Sequence, residues 1–220
     1  MTRKKLGISG SLWSADLADL GGSIKKVERY CDSFHFDIMD GHFVQNLLFG
    51  ADIVKSLRHF TEKAFEIHLM VKNPEEMLDQ FIDAGGDIFI FHPQTCKSLT
   101  DTISYVKSKG KKAGIALKVE EKCEEILEYL PSIEYVIIMG TKIGIKGVSI
   151  EPDTYEKIRI LRDILNKGNY NIEIQIDGGI RKETVPVLYE SGADAVTAGS
   201  LLFNNDYDYI YSWFKNLKTS

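Results

Sequence analysis

Eight short apolar runs recur along the whole 220-residue chain, separated by stretches of helical periodicity, and this rhythm constrains the fold more than any other feature. The runs are Leu6 to Leu12, Ser33 to Met39, Ala64 to Val71, Asp87 to His92, Lys112 to Leu117, Tyr135 to Met139, Ile172 to Ile176 and Ala195 to Ala198. Helical patterns run from Pro74 to Gly85, Ser98 to Lys109, Glu120 to Tyr129, Asp153 to Asn166 and Lys182 to Ser191, with Tyr207 to Leu217 closing the chain. In the first of them Asn73 is placed to cap, Pro74 suits the first turn, and Gly85-Gly86 can end the helix. Eight βα units without a linker predict an α/β protein, a single (β/α)8 TIM barrel over residues 1–220 with its active site at the C-terminal ends of the strands. A doubly wound open sheet is the competing architecture, and no G-x-G-x-x-G or Walker-type phosphate loop supports it. In both, chemistry belongs at the C-terminal strand ends.

With 44% hydrophobic residues, a chain of this length buries one core without dividing. The net charge of −5 comes without a basic block, so no electrostatic footprint for nucleic acid or an anionic membrane is present, and the expected partner is a small molecule. Cys31, Cys96 and Cys123 stand at no metal-ligand spacing and read as packing residues in a reducing compartment. Residues 1–13 carry three basic residues but no apolar stretch of signal-peptide length. No run nears the ~18 residues of a membrane helix, and the expectation is a soluble, cytoplasmic protein.

Chemistry concentrates in Ser33-Phe-His-Phe-Asp-Ile-Met-Asp-Gly-His42. Strand alternation puts His35, Asp37 and Met39 on one side and Phe34, Phe36 and Ile38 on the other. An imidazole and a carboxylate inside an apolar strand are costly unless paired or bound to a cation. The third strand repeats the anomaly, with Glu66, His68 and Met70 alternating with Phe65, Ile67 and Leu69, and the seventh ends in Asp177 before Gly178-Gly179. Two imidazoles and two carboxylates make a mixed nitrogen and oxygen site suited to Zn²⁺, Fe²⁺ or Mn²⁺. An acid/base cluster without metal is the competing reading, and a lone buried histidine would read as a core residue. Gly178-Gly179 and Ala198-Gly199-Ser200, after the last two strands, suit the approach of a phosphate to backbone N–H groups.

Together, Phe36-Asp-Ile-Met-Asp-Gly-His-Phe-Val44 with Asn46, His68-Leu-Met-Val71, Asp177-Gly-Gly-Ile180 and Ala198-Gly-Ser200 resemble the ribulose-phosphate 3-epimerase family over nearly the full length. The resemblance implies an isomerase with one divalent ion (Zn, Fe, Mn or Co) on His35, Asp37, His68 and Asp177, and with Asp37 and Asp177 as the acid/base pair. It further implies substrate contacts from Ser11, His68 and the methionines Met39, Met70 and Met139. Gly144, Lys146 and Gly147, with Gly178, Gly179, Gly199 and Ser200, would then surround the phosphate. The reaction implied is 3-epimerisation of D-ribulose 5-phosphate and D-xylulose 5-phosphate by two-aspartate proton transfer through an enediolate. The expected partners are this phosphorylated ketose and further copies of the chain in a homo-oligomer.

The chain departs from the family pattern at Gly10 and Gln45, where proline is usual, and at Gln94, where an acid is usual. In place of Pro-Gly-Phe-Gly-Gly-Gln it has Ile143-Gly-Ile-Lys-Gly-Val148, with Lys146 either a phosphate ligand or a solvated surface residue. His92-Pro93 with Thr95 resembles the allulose-6-phosphate branch, which makes allulose 6-phosphate and fructose 6-phosphate the alternative substrate pair. Two further alternatives are a decarboxylase of the orotidine-phosphate type, which needs Asp-x-Lys-x-x-Asp where this chain has Met39, and a catalytically silent phosphosugar-binding barrel.

Overall fold

The computed structural model of the chain describes residues 5–217. Residues 1–4 and 218–220, the ends of the predicted 1–220 domain and the start of the basic N-terminal segment, lie outside the described residues. Eight parallel strands form the centre: β1 (Gly7–Ser11), β2 (Ser33–Asp40), β3 (Ala64–Met70), β4 (Ile88–Phe91), β5 (Lys112–Leu117), β6 (Tyr135–Met139), β7 (Glu173–Asp177) and β8 (Ala195–Ala198). Each pairs with the next in chain order, and β1 pairs with both β2 and β8, so the sheet closes into a TIM barrel. A two-residue strand, Leu47–Leu48, runs antiparallel to Met39 and Asp40 at the outgoing end of β2.

The helices are α1 (Leu20–Val27), α2 (Ala51–Leu57), α3 (Leu78–Asp83), α4 (Leu99–Ser108), α5 (Asp153–Gly168), α6 (Thr184–Ser191), α7 (Ser200–Phe203) and α8 (Tyr207–Lys215). α1 and α2 had no sequence expectation. α1 begins Leu20-Gly21-Gly22, a poor helix opening by propensity. Tertiary packing overrides it, because a Cβ on Gly21 would lie 2.4 Å from the Phe60 ring and the bare backbone admits that ring. Asp19 then caps, its carboxylate accepting from Gly22 N–H at 2.9 Å.

Two helical expectations are corrected. The segment from Pro74 starts as a 3₁₀ turn (Pro74–Met77) before α3, and Asn73 supplies no side-chain cap, because it sits in the left-handed region at φ +54°. Gly85 and Gly86 do end α3, with φ +95° at Gly85 and a bond from Gly86 N–H to Phe81 C=O at 2.9 Å. Between β5 and β6 the chain forms a 3₁₀ segment over Cys123–Ser132 in place of an α-helix. Pro131 inside it cannot donate a backbone bond and its ring crowds the preceding turn.

Alternation along the strands builds two cores. Outward residues such as Phe34, Phe36, Phe65, Ile67, Phe89 and Ile115 pack under the helices. Inside the barrel the lining divides by chemistry. Ile88, Ile90, Ala116, Ile137 and Met139, from β4 to β6, form an apolar arc. Ser9, Ser33, His35, Glu66, Gln175 and Thr197, from β1 to β3 and β7 to β8, form a buried polar arc. The three cysteines are free thiols, Cys31 and Cys123 buried, as expected of packing residues. Among the described residues no helix is long and apolar enough to cross a membrane.

Phe36 is fully buried and meets Phe65 edge-on at 4.7 Å and Phe49 at 5.8 Å. Phe36→Ala should cost about 3 to 5 kcal/mol in urea unfolding, through lost transfer energy and the cavity left behind. A cost below ~1 kcal/mol would show that the outer layer collapses around the gap.

Candidate active site

Strand register delivers the site. Parallel pairing sets Ser11 beside His35, Asp37 beside His68, Met39 beside Met70, and Met139 beside Asp177. Because β1 joins β2 to β8, Asp177 at the end of β7 reaches across the seam to the pair on β2 and β3. Gly178 and Gly179 follow it at φ +97° and +71°, and a Cβ on Gly179 would lie 2.8 Å from the Ile150 backbone. Only glycine lets the chain turn away this sharply behind the carboxylate.

One donor atom from each of His35, Asp37, His68 and Asp177 falls within 4.8 Å of the others. His35 Nε2 and His68 Nδ1 are 3.3 Å apart, and each lies 3.4 Å from Asp37 Oδ1 and 3.7 Å from Asp177 Oδ2. Both histidines are wholly buried. Two carboxylates and two imidazole nitrogens facing one point form a donor set that suits a borderline divalent cation.

The charges of these groups fit the same picture. Burial pushes Asp177 up, and the neighbouring Asp37 charge adds to it, to about 6. Burial opposes the charge of Asp37 too, but His35 and the hydrogen bonds from both histidines hold it below the usual carboxylate range. His35 lies well above the ordinary histidine value, since Asp37 and Glu66 outweigh its burial. The Ser11 hydroxyl donates to Asp37 Oδ2 at 3.2 Å.

Above these residues opens a cavity of about 340 Å³. Ser11, Asp37, Met70, Met139 and Asp177 line its floor, and Gly144, Lys146, Gly147, Gly178, Gly179, Gly199 and Ser200 its rim. Met39 and His68 do not reach its wall. Met39 packs with Val44 and Met70, and His68 faces the donor cluster from below. Thr95, fully turned inward, donates its hydroxyl to the His92 carbonyl at 2.9 Å, and neither it nor Pro93 lines the cavity. Lys146 arches over the Trp13 ring, its ammonium 4.5 Å from the ring centre, and donates to the Trp13 carbonyl. Arg181 holds the same loop from the other side through Gly147 and Val148 carbonyls, both at 3.2 Å.

Sequence reasoning gave no role to Glu66, Trp13 or Arg181, and read His92 only as part of the likeness to the allulose-6-phosphate branch. Glu66 carried a usable signal, since it shares the inward side of β3 with His68. The other three depend on cross-strand and loop contacts that a single strand pattern does not encode.

The family model of the ribulose-phosphate 3 epimerase family matches residues 7–203. The chain is 35% identical over 198 residues to the ribulose-phosphate 3-epimerase of Bacillus subtilis (strain 168), covering 89% of this chain and 91% of that protein. It is 32% identical over 207 residues to the Escherichia coli (strain K12) enzyme of the same name, covering 93% and 92%. Among solved structures it is similar to a KGPDC from Streptococcus mutans (TM-score 0.73, 12% identity, 97% of each chain). It is also similar to 3-keto-L-gulonate-6-phosphate decarboxylase from Vibrio cholerae (TM-score 0.70, 16% identity, 98% and 97%). At such identities these two structures speak for the barrel alone.

A cation taken up by this set must displace the proton that Asp177 holds below about pH 6 and the one that His35 holds above it. Affinity should therefore rise with pH, by up to about tenfold per unit for each proton released. We expect one Zn²⁺ per chain, at least ~tenfold weaker binding at pH 5 than at pH 7, and proton release in calorimetry with two buffers. His35→Ala and His68→Ala should lose the ion and keep the fold by circular dichroism. Full occupancy in both variants, or affinity independent of pH, contradicts the assignment.

Proposed function

Because the chain belongs to the ribulose-phosphate 3-epimerase family and is thus a carbohydrate epimerase, we propose that it interconverts D-ribulose 5-phosphate and D-xylulose 5-phosphate, with Asp37 and Asp177 exchanging the C3 proton. The observation that carries this reading is the convergence of these two carboxylates, from strands on either side of the β8–β1 pair, at the floor of one cavity. Inversion of a carbon without turning the sugar over needs one proton-transfer group on each face.

His35, Asp37, His68 and Asp177 would hold a divalent ion, which when bound stabilises negative charge developing on the substrate oxygens next to C3. Asp37, held ionised, suits the base that takes the C3 proton. Asp177, whose carboxyl is raised by burial and by the neighbouring Asp37 charge, suits the group that returns a proton from the other face. In the reverse direction the two exchange roles. The Ser11 hydroxyl fixes the rotamer of Asp37, and Met70 and Met139 give the reacting carbons a wall that offers no competing proton. The glycines of the rim leave backbone open beside the cavity where the phosphate would lie. A cavity of about 340 Å³ is of a size for a pentulose phosphate.

Asp37→Asn and Asp177→Asn should each lower turnover by at least ~10², as removal of a general acid or base does. Each should also stop the incorporation of deuterium from D₂O at C3 of the epimer whose proton that aspartate takes, while the other epimer still exchanges through the remaining aspartate. Metal content is measured alongside, and a metal-loaded variant with wild-type turnover removes that aspartate from the mechanism. Stoichiometric metal without turnover on pentulose or hexulose phosphates would instead identify a silent phosphosugar-binding barrel.

Lys146 lines the cavity from a loop it fastens to Trp13. If its ammonium exchanges the Trp13 carbonyl for the phosphate, Lys146→Gly raises KM about 5- to 150-fold with kcat less affected, a contact to a non-reacting group being uniform binding. Added salt should narrow that difference. An unchanged KM would leave Lys146 as a fastener of the loop.

A further inference from the structure

Glu66 and His92 are buried beside the donor cluster, do not line the cavity and have no part in the chemistry above. They meet the paired histidines from behind, on opposite ring nitrogens. Glu66 Oε2 lies 3.0 Å from His35 Nδ1, and the same oxygen accepts from the Ser9 hydroxyl at 2.8 Å and the Gln175 amide at 2.9 Å. The Ser33 hydroxyl donates to the other oxygen. His92 Nε2 lies 3.0 Å from His68 Nε2, with its ring against Phe43 at 5.1 Å.

A neutral imidazole has one N–H and one lone-pair nitrogen, and a nitrogen given to a cation carries no proton. The nitrogens that face the two aspartates are His35 Nε2 and His68 Nδ1. The proton of His35 therefore belongs on Nδ1, where a carboxylate accepts it. The proton of His68 belongs on Nε2, where the partner must be a lone pair on His92 Nε2. That fixes the proton of His92 on Nδ1, a buried atom with no hydrogen-bond partner among the described residues. A buried donor left without a partner is costly, so the orientation of His92 makes sense where its other nitrogen is needed.

We propose that Glu66 and His92 are positioning residues that turn Nε2 of His35 and Nδ1 of His68 toward a divalent cation. This rests on the metal reading of the site and is independent of which sugar is turned over.

The test uses the full-length protein, ¹⁵N-labelled and loaded with Zn²⁺ alone, whose long-range ¹H–¹⁵N spectra report the tautomer of each histidine. The expected result is Nδ1–H on His35, Nε2–H on His68 and Nδ1–H on His92. A proton on His92 Nε2 overturns the proposal. Chelator competition then compares variants that keep the wild-type circular dichroism. Glu66→Ala and His92→Phe should weaken Zn²⁺ binding about 10- to 100-fold, while Glu66→Gln and His92→Gln, which keep an acceptor oxygen, recover most of it. Binding within twofold of wild type in the first two, or no recovery in the second two, overturns it as well. Wild-type protein that takes up no Zn²⁺ overturns the metal reading and this proposal together. Wild-type tautomers in a protein without epimerase activity support it and count against the proposed reaction alone.

Discussion

The polar arc inside the barrel depends on one constraint: the carboxylates of Asp37 and Glu66 and the imidazoles of His35 and His68 are shut away from water and must satisfy one another. Glu66 lies 3% exposed, and among the described residues it has no ion pair with a lysine or arginine and takes hydrogen bonds from Ser9, Ser33, His35 and Gln175. A buried anion so placed favours positive charge at the point that His35, His68, Asp37 and Asp177 share. The apolar arc of Ile88, Ile90, Ala116 and Ile137 makes this demand stricter, because these side chains offer it no hydrogen bond. Site and core are thus two halves of one lumen, and the chemistry is held where the packing cannot give way.

Strand periodicity carried much of this. The side of β2 that bears His35, Asp37 and Met39, the matching side of β3 with His68 and Met70, and the strand end at Asp177 follow from a period of two and from glycine punctuation. The number of strands, and hence the barrel, follows from their recurrence. What periodicity leaves out is which atom of a residue meets its neighbour. His35 and His68 look alike along their strands, yet one faces the centre with Nε2 and the other with Nδ1, because the partners behind them sit on different strands.

The misjudged segments fail for related reasons. Gly21 and Gly22 hide α1 from any propensity argument, since the benefit of a bare backbone appears only when Phe60 arrives. Pro131 was visible between Cys123 and Ser132, but its consequence, a 3₁₀ segment in place of a helix, depends on how tightly β5 and β6 must be joined. His92 and Thr95, which suggested a hexulose substrate, meet each other in a buried turn that does not line the cavity.

The closure of β1 onto both β2 and β8 also bears on how the molecule comes into being. Three of the four converging donors, His35, Asp37 and His68, lie in the first third of the chain, and the fourth waits on β7. During synthesis from the N-terminus the early strands therefore carry an incomplete set until the segment that bears Asp177 has been made. Possession of the full set marks a finished barrel, and the same four side chains act as a clasp that ties the opening third of the polypeptide to its closing quarter.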